Sequence, residues 1–327
     1  MENHFVDYIN IIKKSMNLTS KILVCGRYGM VGSAIERNLI SKGYTNIIGL
    51  NHSTLDLTNQ SDTYKYFDAE RPSVVFVASA KVGGIHANNV MPAEFIYNNL
   101  AIQTNVIEAC KRYDTKKLCF LGSVCIYPKY AEVPVKEESL LTGELEPTNQ
   151  WYAVAKIAGI KMCQAYRKQY GCDFISVMPC NLFGIKDNFH PTYSHVVPAL
   201  IRRFVEATDK NAPTVTVWGT GNARREFLYV DDMADACVFL MEKYSDERII
   251  NIGYNKDYTI RELVENIAET VGYTGEIVWD TTKPDGTPKR ILDSTRLFDM
   301  GWTPKVSLKE GLTKSVNWYK LHKDETK

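Results

Sequence analysis

The 327-residue chain carries almost no net charge and has no long apolar run. Its 39 lysines and arginines balance 38 aspartates and glutamates, which leaves a formal net charge of +1 at pH 7. Because the charges balance almost completely, the protein has no broad electrostatic attraction to nucleic acid or to an anionic membrane surface, and we expect neither partner. Because no apolar run reaches the roughly 20 residues that cross a bilayer, we also expect no membrane-spanning segment.

The cysteines lack the spacing that disulfide-rich or zinc-binding proteins use. All eight are scattered along the chain, without a C-x-x-C pair and without a neighbouring histidine cluster. In a chain of this size, this pattern is typical of reduced thiols. The first residues, MENHFVDYINIIKKSMN, contain charges and no apolar core as long as that of a signal peptide. The sequence therefore predicts a cytoplasmic protein without a metal site.

Short apolar runs alternate with helical patterns beyond an N-terminal extension of residues 1–20, whose apolar spacing would suit a short amphipathic helix. The runs are KILVC, NIIGL, SVVFVA, KLCFL and FISVM. This alternation predicts an α/β fold with a doubly wound parallel sheet. We expect the sheet domain to comprise residues 21–181 and about 226–255. A smaller, discontinuous C-terminal domain would comprise about 182–225 and 256–327.

A glycine-rich loop follows the first apolar run directly and opens a helical pattern. Gly26 permits a tight turn, Gly29 lets the backbone approach a pyrophosphate, and Gly32 lets the helix sit close to the strand. The N-terminus of such a helix attracts phosphate. The loop therefore predicts a dinucleotide site, which includes the residues between the glycines: Arg27, Tyr28, Met30 and Val31.

The second apolar run ends without the acid that would bind a ribose 2′-hydroxyl in an NAD enzyme. Asn51 and His52 follow it instead, and Asp56 comes later, where it would border the adenine. A 2′-phosphate is admissible beside Arg27 and His52, although a histidine is only fractionally charged at neutral pH. The sequence therefore favours NADP(H) as the cofactor.

Tyr152 and Lys156 are spaced so that they share one face of a helix. A cation one turn away favours the phenolate, so we expect Lys156 to lower the pKa of Tyr152. Ser123 follows the KLCFL run and would lie at the same edge of the sheet. A phenol, an ammonium and a hydroxyl together can pass a proton to or from an oxygen bonded to carbon.

Several segments are recognisable together: GRYGMVGSA, AKVGGIHANN, LGSVCIYP, EPTNQWYAVAKIAGIK, DNFHPTYSHVVPALIRRF, VWGTGNARREFLYVDD and KPDGTPKRILD. With them the chain closely resembles the GDP-L-fucose synthase family of extended short-chain dehydrogenases/reductases, from about Lys21 almost to its C-terminus. The resemblance implies a Rossmann fold, a homodimer and an NADPH-dependent enzyme. Its substrate would be a GDP-linked 4-keto-6-deoxy sugar. Protons would be moved at C3 and C5, beside the C4 ketone, and hydride would then be delivered to C4.

The resemblance also implies roles for single residues. Tyr152, Lys156 and Ser123 would carry the reduction, and Cys125 and His195 would carry the epimerisation. Lys156 would also hold the nicotinamide ribose. Further cofactor contacts would come from Leu121, Gly122, Pro179, Cys180, Asn181 and Leu182. The nucleotide-sugar would contact Asn181, Arg203, Trp218, Arg225, Asp285 and Lys289.

Structural roles remain open for three of the predicted catalytic residues. Ser123 could cap a loop, Cys125 could be a buried apolar thiol, and His195 could cap the helix that begins near Val196. His190, which lies close to His195 in the sequence, is the less suitable candidate for proton transfer.

Two other functions also remain open. The family commonly has Ser, Pro, Thr and Tyr-Gly-Pro at positions occupied here by Val124, Trp151, Cys180 and Phe183-Gly184-Ile185. A reductase of a related GDP-4-keto sugar, such as a heptose, could retain Cys125 and His195 without epimerising its substrate. A non-catalytic NADP-binding regulator is the alternative from another class. Its expected mark is the loss of the Tyr or the Lys from the active helix, and both are present.

Overall fold

A computed structural model describes residues 16–50, 52–283 and 285–325. The amphipathic helix predicted near the start of the N-terminal extension lies outside these residues. Within them the chain forms ten helices and twelve strands, and two short 3-10 turns at Val124–Ile126 and Glu137–Ser139. In chain order, the helices and strands are β1 (Ile22–Cys25), α1 (Met30–Ser41), β2 (Ile47–Leu50), α2 (Gln60–Glu70), β3 (Val74–Val77), α3 (Ile85–Val90), α4 (Pro92–Arg112), β4 (Lys117–Leu121), α5 (Gln150–Tyr170), β5 (Asp173–Pro179), β6 (Asn181–Phe183), α6 (Val196–Asp209), β7 (Thr214–Trp218), β8 (Arg224–Tyr229), α7 (Val230–Lys243), β9 (Ile250–Ile252), β10 (Asp257–Thr259), α8 (Ile260–Val271), β11 (Glu276–Asp280), β12 (Lys289–Arg290), α9 (Thr295–Asp299) and α10 (Leu308–His322).

A six-stranded parallel sheet in the order β2-β1-β3-β4-β5-β9 forms the centre of the fold. The five strands predicted from apolar runs are present within one residue of their predicted bounds, so the doubly wound α/β fold is confirmed. The strand order reverses between β1 and β3. In open sheets of this kind, ligands bind in the crevice at the carboxyl ends of the strands, beside that reversal.

Helices cover both faces of the sheet, which is why β1 and β3 are completely buried. The chain moves in one direction from β1 to β2 and in the other from β2 to β5. Right-handed crossovers therefore place α1 on one face and α2, α4 and α5 on the other. The packing agrees with this, because α1 contacts α7 whereas α2 and α5 both contact α4.

The later part of the chain builds a second apolar core from short strands and three helices. Strand β8 pairs with β6, β10 and β12, and β7 pairs with β11. Phe204 of α6, Leu263 of α8 and Leu312 of α10 belong to this second core. Leu292 and Trp302, in contrast, pack into the first core.

No helix within residues 16–50, 52–283 and 285–325 is both long enough and apolar enough to cross a membrane. The same residues contain no group of three or more His, Cys, Asp or Glu side chains that could hold a metal ion. All eight cysteines are free thiols.

One buried carboxylate joins three segments of the fold. Glu226 on β8 is 1% exposed. Its Oε1 accepts the N–H groups of Tyr254 and Asn255 at 2.6 and 2.7 Å, and its Oε2 accepts the N–H of Leu292 at 3.0 Å. Burial raises the pKa of Glu226, and these three hydrogen bonds act in the opposite direction. The carboxylate thus connects β8, the turn after β9 and the segment that returns to the first core.

We predict that Glu226→Gln lowers the free energy of unfolding by about 2–3 kcal/mol, because an amide nitrogen would face a backbone N–H in a buried site. Urea unfolding followed by circular dichroism measures the change. The matched control is Glu269→Gln, which breaks an exposed ion pair with Lys309 (Nζ–Oε1 2.8 Å) and should change stability by no more than about 0.5 kcal/mol. A loss for Glu226→Gln as small as that of the control would contradict the prediction.

Candidate active site

The glycine loop after β1 forms a cradle that suits a dinucleotide. Gly26 has a φ of +79°, and a Cβ there would lie 3.0 Å from the backbone of Ala78 and Ser79, which follow β3. A Cβ on Gly32 would overlap the carbonyl oxygen of Gly26. Helix α1 begins directly after Gly29 without a side-chain cap, so its first N–H groups are available to an anion. These features fit the pyrophosphate of a nicotinamide cofactor.

Arg27 lies against β2, where a Cβ on Gly49 would overlap its side chain. Its guanidinium pairs with Glu36 of α1, and chiefly this hydrogen bond raises the pKa of Arg27. The Nε of Arg27 is buried and has no hydrogen-bond partner among the described residues. His52 is exposed and lies 3.7 Å (Nε2–Oδ2) from Asp56, which also accepts hydrogen bonds from Thr58. Arg27 and His52 thus lie at the carboxyl end of β2, where the sequence places a 2′-phosphate.

Lys156 joins α5 to the end of β4. Its Nζ donates a hydrogen bond to the carbonyl oxygen of Leu121 at 2.7 Å and lies 5.7 Å from the ring centroid of Tyr152. Among the described residues Cys125 is the titratable group that acts on this ammonium, and Lys156 is only 4% exposed. Burial lowers the pKa of Lys156 to about 8. The ammonium is therefore charged at neutral pH but close to losing its proton.

The pKa of Tyr152 shifts in the direction opposite to the one expected from the sequence. We expected Lys156 to lower the pKa of the phenol, but burial raises that pKa instead, and the neighbouring Cys125 acts in the same direction. Desolvation of the phenolate is the largest cause of this shift. Tyr152 is therefore a neutral phenol at physiological pH, which is the form that can donate a proton.

Ser123 and Cys125 share the 3-10 turn that follows β4. The Oγ of Ser123 accepts the N–H of Cys125 at 3.4 Å, so Ser123 does cap the turn, and its hydroxyl hydrogen remains able to donate. Burial raises the pKa of the Cys125 thiol to about 11, although Ser123, Lys156 and Arg290 all act to lower it. Cys125 in turn acts electrostatically on Tyr152 and Lys156, so the three side chains are neighbours.

His195 directly precedes α6, but its side chain makes no capping hydrogen bond to that helix. A role for the His195 side chain as a helix cap is therefore excluded. His195 is exposed to solvent, and partial desolvation by the surrounding protein lowers the pKa of its imidazole. His190, in contrast, folds the preceding loop, because its Nδ1 accepts the N–H groups of Thr192 and Tyr193 at 3.1 and 3.2 Å.

The residues predicted to bind nucleotide-sugar lie on or beside the short strands β6, β7, β8 and β12. Among the described residues, Arg203 and Arg225 donate hydrogen bonds to the backbone carbonyls of Thr216 and Arg224, at 2.8 Å in both cases, and desolvation lowers the pKa of both. Trp218 is 66% exposed. Asp285 accepts the N–H and hydroxyl of Thr220.

Two other predicted residues make contacts within the protein. Asn181 donates its side-chain amide to the carbonyl of Glu226 at 2.9 Å. Lys289 pairs with Asp257 at 3.3 Å (Nζ–Oδ2).

The remaining predicted cofactor residues lie at the carboxyl ends of β4 and β5. Leu121 ends β4 and Gly122 follows it, packed so closely on Met178 that a Cβ on Gly122 would overlap that side chain. Pro179 ends β5, Cys180 is buried, and Leu182 lies in β6.

Sequence reasoning missed Arg290, which acts electrostatically on Cys125. Its Nη1 lies 3.4 Å from the carbonyl oxygen of Tyr127, and burial lowers its pKa. A signal was available, because neighbouring side chains of a strand point to opposite faces. Lys289 and Arg290 are adjacent in β12, so Arg290 must point to the side opposite to the one that Lys289 faces.

Comparison with known proteins identifies the family of this chain. Residues 22–253 match the model of the NAD dependent epimerase/dehydratase family. GDP-L-fucose synthase 1 of Arabidopsis thaliana is 58% identical over 301 residues, which cover 92% of this chain and 93% of the relative.

Two solved structures are also similar. The structure of a GDP-L-fucose synthetase from Naegleria fowleri bound to NADP has a TM-score of 0.90 at 27% identity, with 96% of each chain covered. A GDP-6-OMe-4-keto-L-xylo-heptose reductase from C. jejuni has a TM-score of 0.87 at 36% identity, with 94% of this chain and 99% of that chain covered. The family inferred from the sequence is thereby confirmed. The chain belongs to the NAD dependent epimerase/dehydratase family and, within it, to the GDP-L-fucose synthases.

Proposed function

We propose that this protein is an NADPH-dependent enzyme of the GDP-L-fucose synthase type. Its substrate is a GDP-linked 4-keto-6-deoxy sugar, which it epimerises at C3 and C5 and reduces at C4. One observation carries the proposal: the turn after β4 and the first turns of α5 bring Ser123, Cys125, Tyr152 and Lys156 together, at the sheet edge that also bears the glycine cradle. The 58% identity to a named GDP-L-fucose synthase supports the same conclusion.

The reduction uses three of these side chains. Bound NADPH supplies the hydride. Tyr152, held neutral by burial, donates its proton to the oxygen at C4, and the ammonium of Lys156 stabilises the phenolate left behind. Ser123 donates its hydroxyl hydrogen to the same ketone oxygen, which favours the charge that develops there.

Epimerisation requires a proton acceptor and a proton donor on opposite faces of a carbon that the ketone has made acidic. Burial keeps His195 neutral and Cys125 protonated near pH 7. A neutral imidazole can accept a proton and a thiol can donate one, so the pair provides both functions.

Three partly desolvated arginines support a diphosphate-containing substrate. Desolvation is the main cause that lowers the pKa values of Arg203, Arg225 and Arg290, while Asp285 acts on Arg225 and Glu146 acts on Arg290 in the opposite direction. A partly desolvated guanidinium suits a bidentate phosphate ligand. The exposed face of Trp218 is available to the guanine base or the sugar.

We also propose a cytoplasmic homodimer and the domain division predicted from sequence. Exposed apolar side chains on α4 and α5, namely Tyr97, Trp151 and Val154, support a two-fold contact between these helices. Eight free thiols support a reducing compartment. The second apolar core supports a separate GDP-sugar domain, while Leu292 and Trp302 tie the end of that domain to the cofactor domain.

We predict that Tyr152→Phe lowers kcat for reduction about 10³-fold, because the proton donor is lost. The Kd for NADPH should change by less than about twofold, since the ring is retained. Stopped-flow absorbance at 340 nm and fluorescence titration measure the two quantities. Tyr170→Phe is the matched control, because Tyr170 lies on the same helix, far along from Tyr152, and should leave both values unchanged. Full turnover by Tyr152→Phe would refute its role as the proton donor, and an inactive wild-type protein would favour the non-catalytic regulator.

A second prediction separates the epimerase from the reductase-only alternative, which the similarity to a heptose reductase favours. Incubation of the GDP-4-keto-6-deoxy sugar in deuterated water without NADPH should place deuterium at C3 and C5. Cys125→Ser and His195→Asn should each slow this exchange by at least about 10²-fold, because each removes a proton-transfer group. NMR measures the incorporation. An absence of exchange in the wild-type enzyme would exclude epimerisation and leave the reductase.

The pH dependence of reduction gives a third prediction. Lys156 is charged below its lowered pKa of about 8 and neutral above it. The value of kcat should therefore be nearly constant from about pH 6 to 7 and fall about tenfold per pH unit well above pH 8. Thermal unfolding midpoints in the same buffers show whether the protein stays folded. A constant kcat up to pH 9.5 would contradict a role for the lowered pKa.

A further inference from the structure

Two loops that are distant in sequence meet beside His195. The loop after β3 contains Gly83 and Gly84, and the loop before α6 contains Tyr193 and Ser194. The N–H of Gly84 donates to the carbonyl oxygen of Tyr193 at 2.9 Å. The backbone that leads into His195 is thus bound to the edge of the central sheet.

Gly84 is required here for space and not for its backbone conformation. Its φ of −64° and ψ of 179° are available to any residue. A Cβ at this position, however, would overlap the carbonyl oxygen of Ser194. The missing side chain therefore sets how closely the Ser194 backbone approaches the loop.

Asn88 holds the Gly83-Gly84 turn in place. It is 6% exposed, and its Nδ2 donates to the carbonyl oxygens of both Gly83 and Gly84, at 2.8 and 3.1 Å. One buried amide thereby fixes two consecutive peptide units. This fixes the direction of the Gly84 N–H toward Tyr193.

The facing loop is also held from within. His190 accepts two of its N–H groups, and the ring of His190 stacks on Tyr193 with centroids 4.7 Å apart. Tyr193 stacks in turn on His86 of α3, with centroids 6.0 Å apart. The side chain of His195 makes no capping hydrogen bond to the start of α6. The position of its imidazole therefore depends on where the preceding backbone of Ser194 lies.

We propose that Gly84 and Asn88 are positioning residues for His195. They fix the Ser194 backbone, and through it the distance of the imidazole from the reacting carbons of the sugar. Neither residue needs to touch the substrate. The inference rests on the proposed function, which gives His195 a proton-transfer role. A displacement of about 1 Å at a reacting group can lower a rate on the order of 10²-fold, so a single added methyl group is a sufficient perturbation.

The test is Gly84→Ala in the full-length enzyme. Deuterium exchange at C3 and C5 should fall about tenfold to hundredfold, while NADPH-dependent reduction at C4 should fall less than about threefold. The fraction of reduced but un-epimerised product should rise. Gly143→Ala is the matched control, because Gly143 lies in an exposed loop and its added Cβ would meet only the ring of Pro128, at 3.3 and 3.6 Å. This control should keep exchange within about threefold of wild type.

Asn88→Ala is a second variant in case Gly84→Ala does not fold. It adds no atoms and removes the two hydrogen bonds that the side-chain amide donates to Gly83 and Gly84. It should slow exchange about threefold to tenfold and leave reduction unchanged. Equal losses of exchange and reduction in a folded variant would overturn the proposal, as would unaltered exchange in both variants. His195→Asn distinguishes the two levels of inference. If this variant exchanges normally, the role proposed for His195 is wrong; if it loses exchange while Gly84→Ala retains it, only the positioning is wrong.

Discussion

The hydrogen bond from Lys156 to the carbonyl of Leu121 is the contact on which the site depends. It holds a buried cation at the end of β4, with the rings of Phe120 and Tyr152 beside it and no carboxylate partner among the described residues. An ammonium solvated by one carbonyl and two ring faces is poorly compensated, which explains its lowered pKa. The same incomplete compensation leaves the charge able to act on a phenolate that forms next to it.

The close approach of α5 to β4 makes this hydrogen bond possible. A Cβ on Gly159, one turn after Lys156, would overlap the ring of Phe120. The buried side chain of Gln103 on α4 donates to the carbonyl of Ala155 at 2.5 Å. A glycine thus removes the obstacle to close packing, and an amide from the neighbouring helix fixes the turn that carries Lys156. The catalytic spacing on α5 is effective only because these packing residues set the depth of the helix.

Much of the fold could be predicted because the parallel strands are buried on both faces and appear as apolar runs. Strands β6, β8, β9, β10, β11 and β12 were not predicted, and four of these have only two or three residues, too few to give a periodic signal. At the site, spacing located Tyr152 and Lys156 correctly on one helix face but gave the wrong direction for the pKa of Tyr152, because burial depends on the surrounding fold. The hydrogen-bonding role of His190 and the uncapped position of His195 likewise depend on loop geometry that spacing does not reveal.

The turn after β4 explains how two reactions can share one sheet edge. Ser123 and Cys125 are two residues apart, and the Oγ of one accepts the N–H of the other. Because a 3-10 turn has three residues, side chains two apart leave it in different directions. In the proposed reaction, Ser123 contacts the ketone oxygen while Cys125 serves a neighbouring carbon. The ketone that makes C3 and C5 acidic is destroyed by reduction, so proton exchange must come first. A site that serves both steps must therefore hold the ketone oxygen in one place throughout, and a turn that fixes both side chains relative to each other meets that requirement.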